Sequence, residues 1–148
     1  ARPGLLIGRG GEGVTKLKND ILKELRRLKL PMPPAFKLDI EEVKDPEAHA
    51  KVVGEMIAEA LEKRLPFRRV VKQMAEKVLS QKNVKGVKIT LSGRLGGAEM
   101  SRVENLKKGQ IPLQTLRADI DFAREKAYLS YGVIGIKVWI YRGEIFNK

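Results

Sequence analysis

Near its end the chain reads "VIGIKVWIYRG", which sets Ile134, Ile136, Val138 and Ile140 two residues apart and leaves Gly135, Lys137, Trp139 and Tyr141 between them. Successive strand residues point to opposite sides of a sheet, so this run requires a strand with one face buried in a core. "GVKITLSG" repeats the requirement with Val87, Ile89 and Leu91. Ahead of both lie two stretches with a helical period, first Val52, Met56, Ile57, Ala60 and Leu61, then Val70, Val71, Met74, Ala75 and Val78. Two amphipathic helices and a set of one-sided strands bury their apolar faces most simply as two layers. The reading is therefore α+β, with a helix pair packed on a small mixed sheet.

In "KDPEAHAKVV" Asp45 suits the N-cap and Pro46 the first helical position, and Pro66 starts the second helix. "LRADIDF" supplies another strand with Leu116, Ala118, Ile120 and Phe122 inward, and a short helix is expected after "GRLGGAE". Upstream, Val14, Leu17, Ile21, Leu25 and Leu28 predict an amphipathic helix from about Glu12 to Lys29. Glu12 at its start and Arg26, Arg27 and Lys29 at its end suit the helix dipole. "LKLPMPPA" ends that helix, and "FKLDIEEV" alternates Phe36, Leu38 and Ile40 as a short strand. The boundary falls near Val43–Asp45, giving one unit over 1–44 and a second over 45–148. Because the chain opens on Ala1 inside the first unit's pattern, that unit is expected to lack an N-terminal piece.

The 148 residues carry 30 Lys+Arg against 18 Asp+Glu, a formal net charge of +12. Such an excess faces a polyanion. A membrane surface is the other acidic partner, but the most apolar run, "VIGIKVWI", is too short to span and is interrupted by Lys137. With no cysteine there is neither a disulfide framework nor a thiolate metal site, and a reducing, cytoplasmic setting fits. His49, the only histidine, lies in the first turn of a polar-flanked helix and reads as a solvated surface residue, which leaves no Ser-His-Asp set. Asp119 and Asp121 share a strand face without a companion His or Cys. They read as structural ion-pair partners, with Arg117 and Lys137 as cross-strand candidates, rather than as a metal or acid–base pair. No catalytic residue, metal or cofactor is expected, and the chain does not read as an enzyme.

The opening "IGRGGEGV" has two incompatible readings. Gly8, Gly10 and Gly13 spell the G-x-G-x-x-G of dinucleotide-binding folds, whereas Gly8, Arg9, Gly10 and Gly11 spell the G-x-x-G by which KH domains clamp a nucleic-acid backbone. Against a cofactor, "ARPG" is a poor strand to precede the loop, and the rest lacks the βα alternation of a doubly wound sheet. The helix that follows is also studded with Lys16, Lys18, Lys23, Arg26 and Arg27, more charge than a dinucleotide needs. For RNA, Pro3 starts a one-turn helix that stops at Gly8, Gly11 allows close approach of phosphate, and the next helix offers free N–H groups beside Arg9. Such a loop grips about four nucleotides. A plain tight turn between two helices remains the alternative.

Three more groups carry charge in a pattern. In "KRLPFRRVVKQMAEK" Arg64, Arg68 and Lys72 are spaced by four, with Arg69 beside them. On one continuous helix they would form an outward row roughly 12 Å long, which suits successive phosphates or simply a solvated face. "GRLGGAE" is a glycine-rich turn that offers Arg94, with Glu99 and Arg102 just beyond. On the last strand Lys137, Trp139 and Tyr141 face outward, an arrangement that suits stacked bases or a protein partner equally.

"RPGLLIGRGGEGVTKLK" resembles the second half of a type II KH domain. "RRVVKQM", "GVKITLSGRLGGAEMSR", "PLQTLRADIDFA" and "YGVIGIKVWIYRGEI", in this order, resemble the C-terminal domain of the bacterial small-subunit ribosomal protein S-three family. The resemblance covers essentially the whole chain and implies a structural rRNA-binding protein in the head of the small subunit, beside other head proteins. It implies that the opening loop (Gly8, Arg9, Gly10, Gly11, with Lys16) and Arg94, Arg102 and Lys137 hold rRNA. It further implies that Arg64, Arg68, Arg69 and Lys72 line the channel through which mRNA enters and help to open structured message. Gly10 stands where the family's loop often carries a second basic residue. A free-standing KH-type regulatory or processing factor is the other function that fits these residues.

Overall fold

The computed structural model describes residues 3–30, 36–43 and 45–146; residues 31–35 of "LKLPMPPA" lie outside them. The chain divides into two compact units between Lys44 and Asp45. In the first, α1 (Pro3–Ile7) and α2 (Glu12–Arg27) are joined through a 3-10 turn at Arg9–Gly11. Val14, Ile21 and Leu25 of the expected stripe are half-buried, while Leu17 and Leu28 are exposed. α2 closes with Lys29 in the left-handed region (φ 52°), its N–H on the Arg26 carbonyl and that of Leu30 on Leu25. Residues 36–43, expected as a strand, are not one. Their alternation marks an inner and an outer face, but a strand exists only by pairing, and no strand among the described residues of this unit offers a ladder.

In the second unit, α3 (Ala50–Glu62) and α4 (Phe67–Leu79) lead into four strands: β1 (Gly86–Gly93), β2 (Arg102–Gly109), β3 (Ala118–Leu129) and β4 (Gly132–Glu144). Their order is β2-β1-β4-β3, with α3 on β3 and β4 and α4 on β1 and β2. The two-layer α+β arrangement is as expected. Every pairing is antiparallel, however, where a mixed sheet was expected, because no helix crosses over between neighbouring strands. Val87, Ile89 and Leu91 of β1 and Ile134, Ile136, Val138 and Ile140 of β4 are all no more than 1% exposed and form the centre of the core. Each contributes on the order of 1.5–3 kcal/mol by burial.

Three details differ from the sequence reading. β3 alternates as expected, but its phase is reversed. Leu116 is fully exposed and Phe122 is 47% exposed, while Ala123 and Ala127 face the core, since α3 lies so close to β3 that only small side chains fit beneath it. Burial on α3 centres on Ala50, Val53, Gly54, Ile57, Ala58 and Leu61, leaving Val52, Met56 and Ala60 at its flank. No helix follows "GRLGGAE"; a 3-10 turn at Leu95–Gly97 sits inside it, and the chain then enters β2.

Asp45 stands at the N-cap position of a 3-10 turn (Pro46–Ala48) without a side-chain capping hydrogen bond, and α3 proper begins after His49, which is exposed. The N-terminus of α3 is held from the sheet: the Ala50 N–H donates to Asp121 Oδ2 at 2.9 Å, and Arg142 Nη2 donates to the same oxygen at 3.0 Å. Asp121 is therefore structural, with Arg142 rather than Arg117 or Lys137 as its partner. A bulge between Asp119 and Ile120 leaves Arg142 outside the strand register. Asp121→Ala strands the Ala50 N–H and removes the carboxylate partner of Arg142, which keeps the Ala48 carbonyl at 2.8 Å. It is expected to cost about 1–3 kcal/mol, read as a lower urea midpoint with an unchanged slope.

Candidate nucleic-acid interface

The opening loop owes its shape to its glycines. Gly8 (φ 67°, ψ −177°) ends α1, its N–H bonded to the Gly4 carbonyl at 3.1 Å, and Gly10 and Gly11 are left-handed at φ 63° and 82°. A β-carbon on Gly10 or Gly11 would meet nothing within 4 Å, so that side of the loop is open. Gly13 has a different duty: a β-carbon there would lie 2.0 Å from the Leu6 carbonyl oxygen, because α1 crosses directly over α2. The third glycine of the apparent cofactor fingerprint is thus a helix-packing contact. Arg9 and Lys16 are exposed and make no ion pair among the described residues. Further along α2, Lys23 pairs with Asp20 and Arg27 with Glu24.

In the second unit the basic row is shorter than its spacing implies. α3 ends at Glu62 and α4 starts at Phe67, so only Arg68, Arg69 and Lys72 share a helix, along roughly 6 Å rather than 12 Å. Arg64 occupies the turn between them at φ 59°, where its N–H reaches the Leu61 carbonyl and that of Leu65 reaches Ala60. This is the helix-ending motif that favours glycine. A left-handed arginine costs about 1–2 kcal/mol, so Arg64→Gly is expected to raise the melting temperature by a few degrees while removing a charge. A calorimetric scan checks it.

Arg68 leans from α4 to the edge strand β2, its Nη2 3.2 Å from Glu104 Oε1, and Arg102 sits 3.6 Å from the same oxygen. Both guanidinium groups lie 5.6 Å from the centre of the Phe67 ring. Residues assigned separately to mRNA (Arg68) and rRNA (Arg102) are therefore one cluster, and Phe67, which the sequence reading passed over, is its hub. A groove of about 340 Å³ runs beside it, floored by Val71, Leu91 and Leu106. About two turns along α4, Lys108 of β2 donates to Glu76 at 2.8 Å. That hydrogen bond holds the Glu76 carboxyl below its ordinary value of 4.5, so the link is present above that pH and is lost as pH falls through the lowered value. With both edge acids engaged, Arg69 and Lys72 stand exposed with no ion pair among the described residues.

Arg94 is spent largely on the fold: Nε donates to the Ala98 carbonyl at 2.9 Å and Nη1 to that of Tyr131 at 3.2 Å, tying the glycine turn to the β3–β4 connection. Lys137 lies elsewhere, on the sheet face that carries no helix, opposite Arg124 and Thr90. The structure thus brings Arg68, Arg69, Lys72 and Arg102 together at one edge and does not bring Arg94 or Lys137 to it. β2 was missed in the sequence because "RVENLKKG" has a strand's alternation but one core-facing apolar residue, Leu106; charge on an edge strand protects it from pairing with another chain.

Residues 57–140 match the family described as "Ribosomal protein S3, C-terminal domain". Over 144 residues the chain is 44% identical to the small ribosomal subunit protein uS3c of Guillardia theta, covering 97% of this chain and 64% of that protein. It is 48% identical over 145 residues to uS3 of Clostridium botulinum strain Okra, covering 98% of the chain and 62% of the relative. It is 46% identical over 144 residues to uS3 of Clostridium novyi, with 97% and 62% covered. The chain spans a little under two thirds of the length of these relatives.

Proposed function

Because the chain belongs to the ribosomal protein S-three family, we propose that it works as a structural, non-enzymatic constituent of the small ribosomal subunit. In this reading it binds rRNA in the subunit head and meets mRNA where the message enters, within the cytoplasmic ribosome. The observation that carries the reading is the edge built from α4 and β2. Its acids are neutralised internally, which leaves Arg69 and Lys72 as unspent charge beside the Arg68–Phe67–Arg102 cluster. Fixed cations of this kind hold phosphates in any sequence, as a channel for changing message requires. The first unit adds a loop of KH type, with Gly10 and Gly11 open to an approaching backbone and Arg9 and Lys16 supplying charge. No helix among the described residues is long and apolar enough to cross a membrane.

Sucrose-gradient fractionation of native extract tests the assignment. The chain is expected to co-sediment with small subunits through high-salt washing. Recovery mainly as free monomer would favour a free-standing KH-type RNA-binding factor instead.

A further inference from the structure

We propose that the helix-free face of the sheet is a second RNA site, a platform on which single-stranded bases stack. Paired residues in antiparallel strands share a face, so the register places Phe122, Trp139, Lys88 and Lys107 in one row across all four strands. The next row holds Arg124, Lys137, Thr90 and Asn105, and the one after it Lys126 beside Gly135. Five cations thus lie on this face. Three acids of the same strands point the other way: Asp121 meets Arg142 and the start of α3, Glu125 meets Lys51, and Glu104 meets Arg68, while Asp119 pairs with Gly143 beyond the bulge at the far end of the sheet. From Gly132 to Tyr141, and across β1 and β2, no acidic residue shares the face among the described residues.

The aromatic groups sit among these charges. Phe122 and Trp139 have ring centres 5.0 Å apart at 32°, and Lys88 Nζ lies 4.9 Å from the centre of the Trp139 ring. Phe122 is 47% and Tyr128 67% exposed, whereas Tyr141, expected outward on the same strand as Trp139, is only 5% exposed where Gln110 backbone lies against its partner Gly86, so the open face stops at the Phe122–Trp139 row. Gly135 in the third row makes room for Ser92, whose Oγ lies 2.9 Å from where a β-carbon would stand and donates to the Gly135 carbonyl. Positive charge without acids selects a polyanion, and open rings select one whose bases are unstacked. Together they describe single-stranded RNA, with about two or three bases on the rings and lysines on the flanking phosphates. A duplex keeps its bases stacked and cannot use the rings. The site rests on the ribosomal assignment only for the RNA it would hold in the cell.

Trp139 is the chain's only tryptophan, so its emission reports on the platform. Titrating the full chain with a short oligouridylate is expected to quench that emission in step with binding, while an RNA duplex of equal length leaves it unchanged. Phe122→Leu, at an exposed position, should keep the melting temperature and weaken oligouridylate binding about tenfold, measured by anisotropy of labelled RNA. Replacing Lys88, Lys107 and Lys137 with Gln should flatten the salt dependence by about 2 log units per log unit of salt. The Arg68, Arg69 and Lys72 to Ala variant should retain the quenching. Binding without quenching, equal quenching by duplex, or an unaltered affinity for Phe122→Leu overturns the platform. So does a small subunit that shields Trp139 from acrylamide while RNA alone does not alter its emission, which would assign the face to a neighbouring protein. In each of these cases a chain that still enters the small subunit leaves the ribosomal assignment standing.

Discussion

Ribosomes carrying Arg68, Arg69 and Lys72 all changed to Ala are expected to assemble normally, translate unstructured message at the parental rate, and slow markedly on a message with a stable hairpin. Assembly should survive because Arg69 and Lys72 make no ion pair among the described residues and Arg68 makes only exposed contacts at the α4–β2 edge. The apolar side of α4, Val70, Val71, Ala75 and Val78, is untouched. On the proposed function the loss falls on phosphates. Three cations on a roughly 6 Å stretch of helix can hold a separated strand by its backbone and disfavour its re-pairing, a passive role that needs no nucleotide hydrolysis. Removing them should also lower the salt slope of single-strand binding by about 2 log units, at about 0.7 per contact. Equal rates on structured and unstructured messages in mutant and parent would refute the role.

The opening loop yields an opposed pair of outcomes. Gly10→Asp with Gly11→Asp should weaken binding of single-stranded RNA by at least tenfold, about 1.4 kcal/mol, with the fold retained. Both positions are left-handed, which Asp tolerates, and both open onto empty space, so the change delivers negative charge where phosphate would lie. Gly8 is unsuited to this test: at φ 67° and ψ −177° it occupies a region essentially closed to other residues. Gly13→Ala should instead unfold the first unit, since its methyl would sit 2.0 Å from the Leu6 carbonyl oxygen. Helix loss on Gly13→Ala and RNA loss on the Asp pair, measured by circular dichroism and filter binding, separate the glycine that packs from those that bind. An unchanged affinity in the Asp pair would make the loop a turn and nothing more.

Where side chains alternate against a core, periodicity was enough to read the fold. β1 and β4 were legible because each is buried on one side only, and Ile134 through Ile140 leave no other phase. β3 misled because alternation reports two faces without saying which is inner. Ala123 and Ala127 look unremarkable beside Ile120 and Phe122, yet α3 needs small residues beneath it. β2 has charge where a central strand has apolar residues, so propensity could not find it. The candidate interface was legible as residue types and only half legible as geometry. The four-residue spacing of Arg64, Arg68 and Lys72 implied one helix, but Pro66 and the left-handed Arg64 interrupt it. Partners distant in sequence were invisible: Glu104 taking Arg68, Arg142 rather than Lys137 taking Asp121, and Arg94 turning inward to two carbonyls.

The order of strands sets a timetable for synthesis. β1 lies inside the sheet, yet its neighbour β4 is the last strand made: Val87 waits for Ile140, which lies 53 positions later by subtraction of the paired numbers. At roughly 5–20 residues per second that is an interval of several seconds. During it β1 has β2 along one edge and α4 over its apolar face, while its other edge offers unpaired N–H and C=O groups to any passing strand. A nascent chain halted between β2 and β4 should therefore be the aggregation-prone species, and the arrival of β4, bringing β3 as its hairpin partner, closes the open edge in a single step.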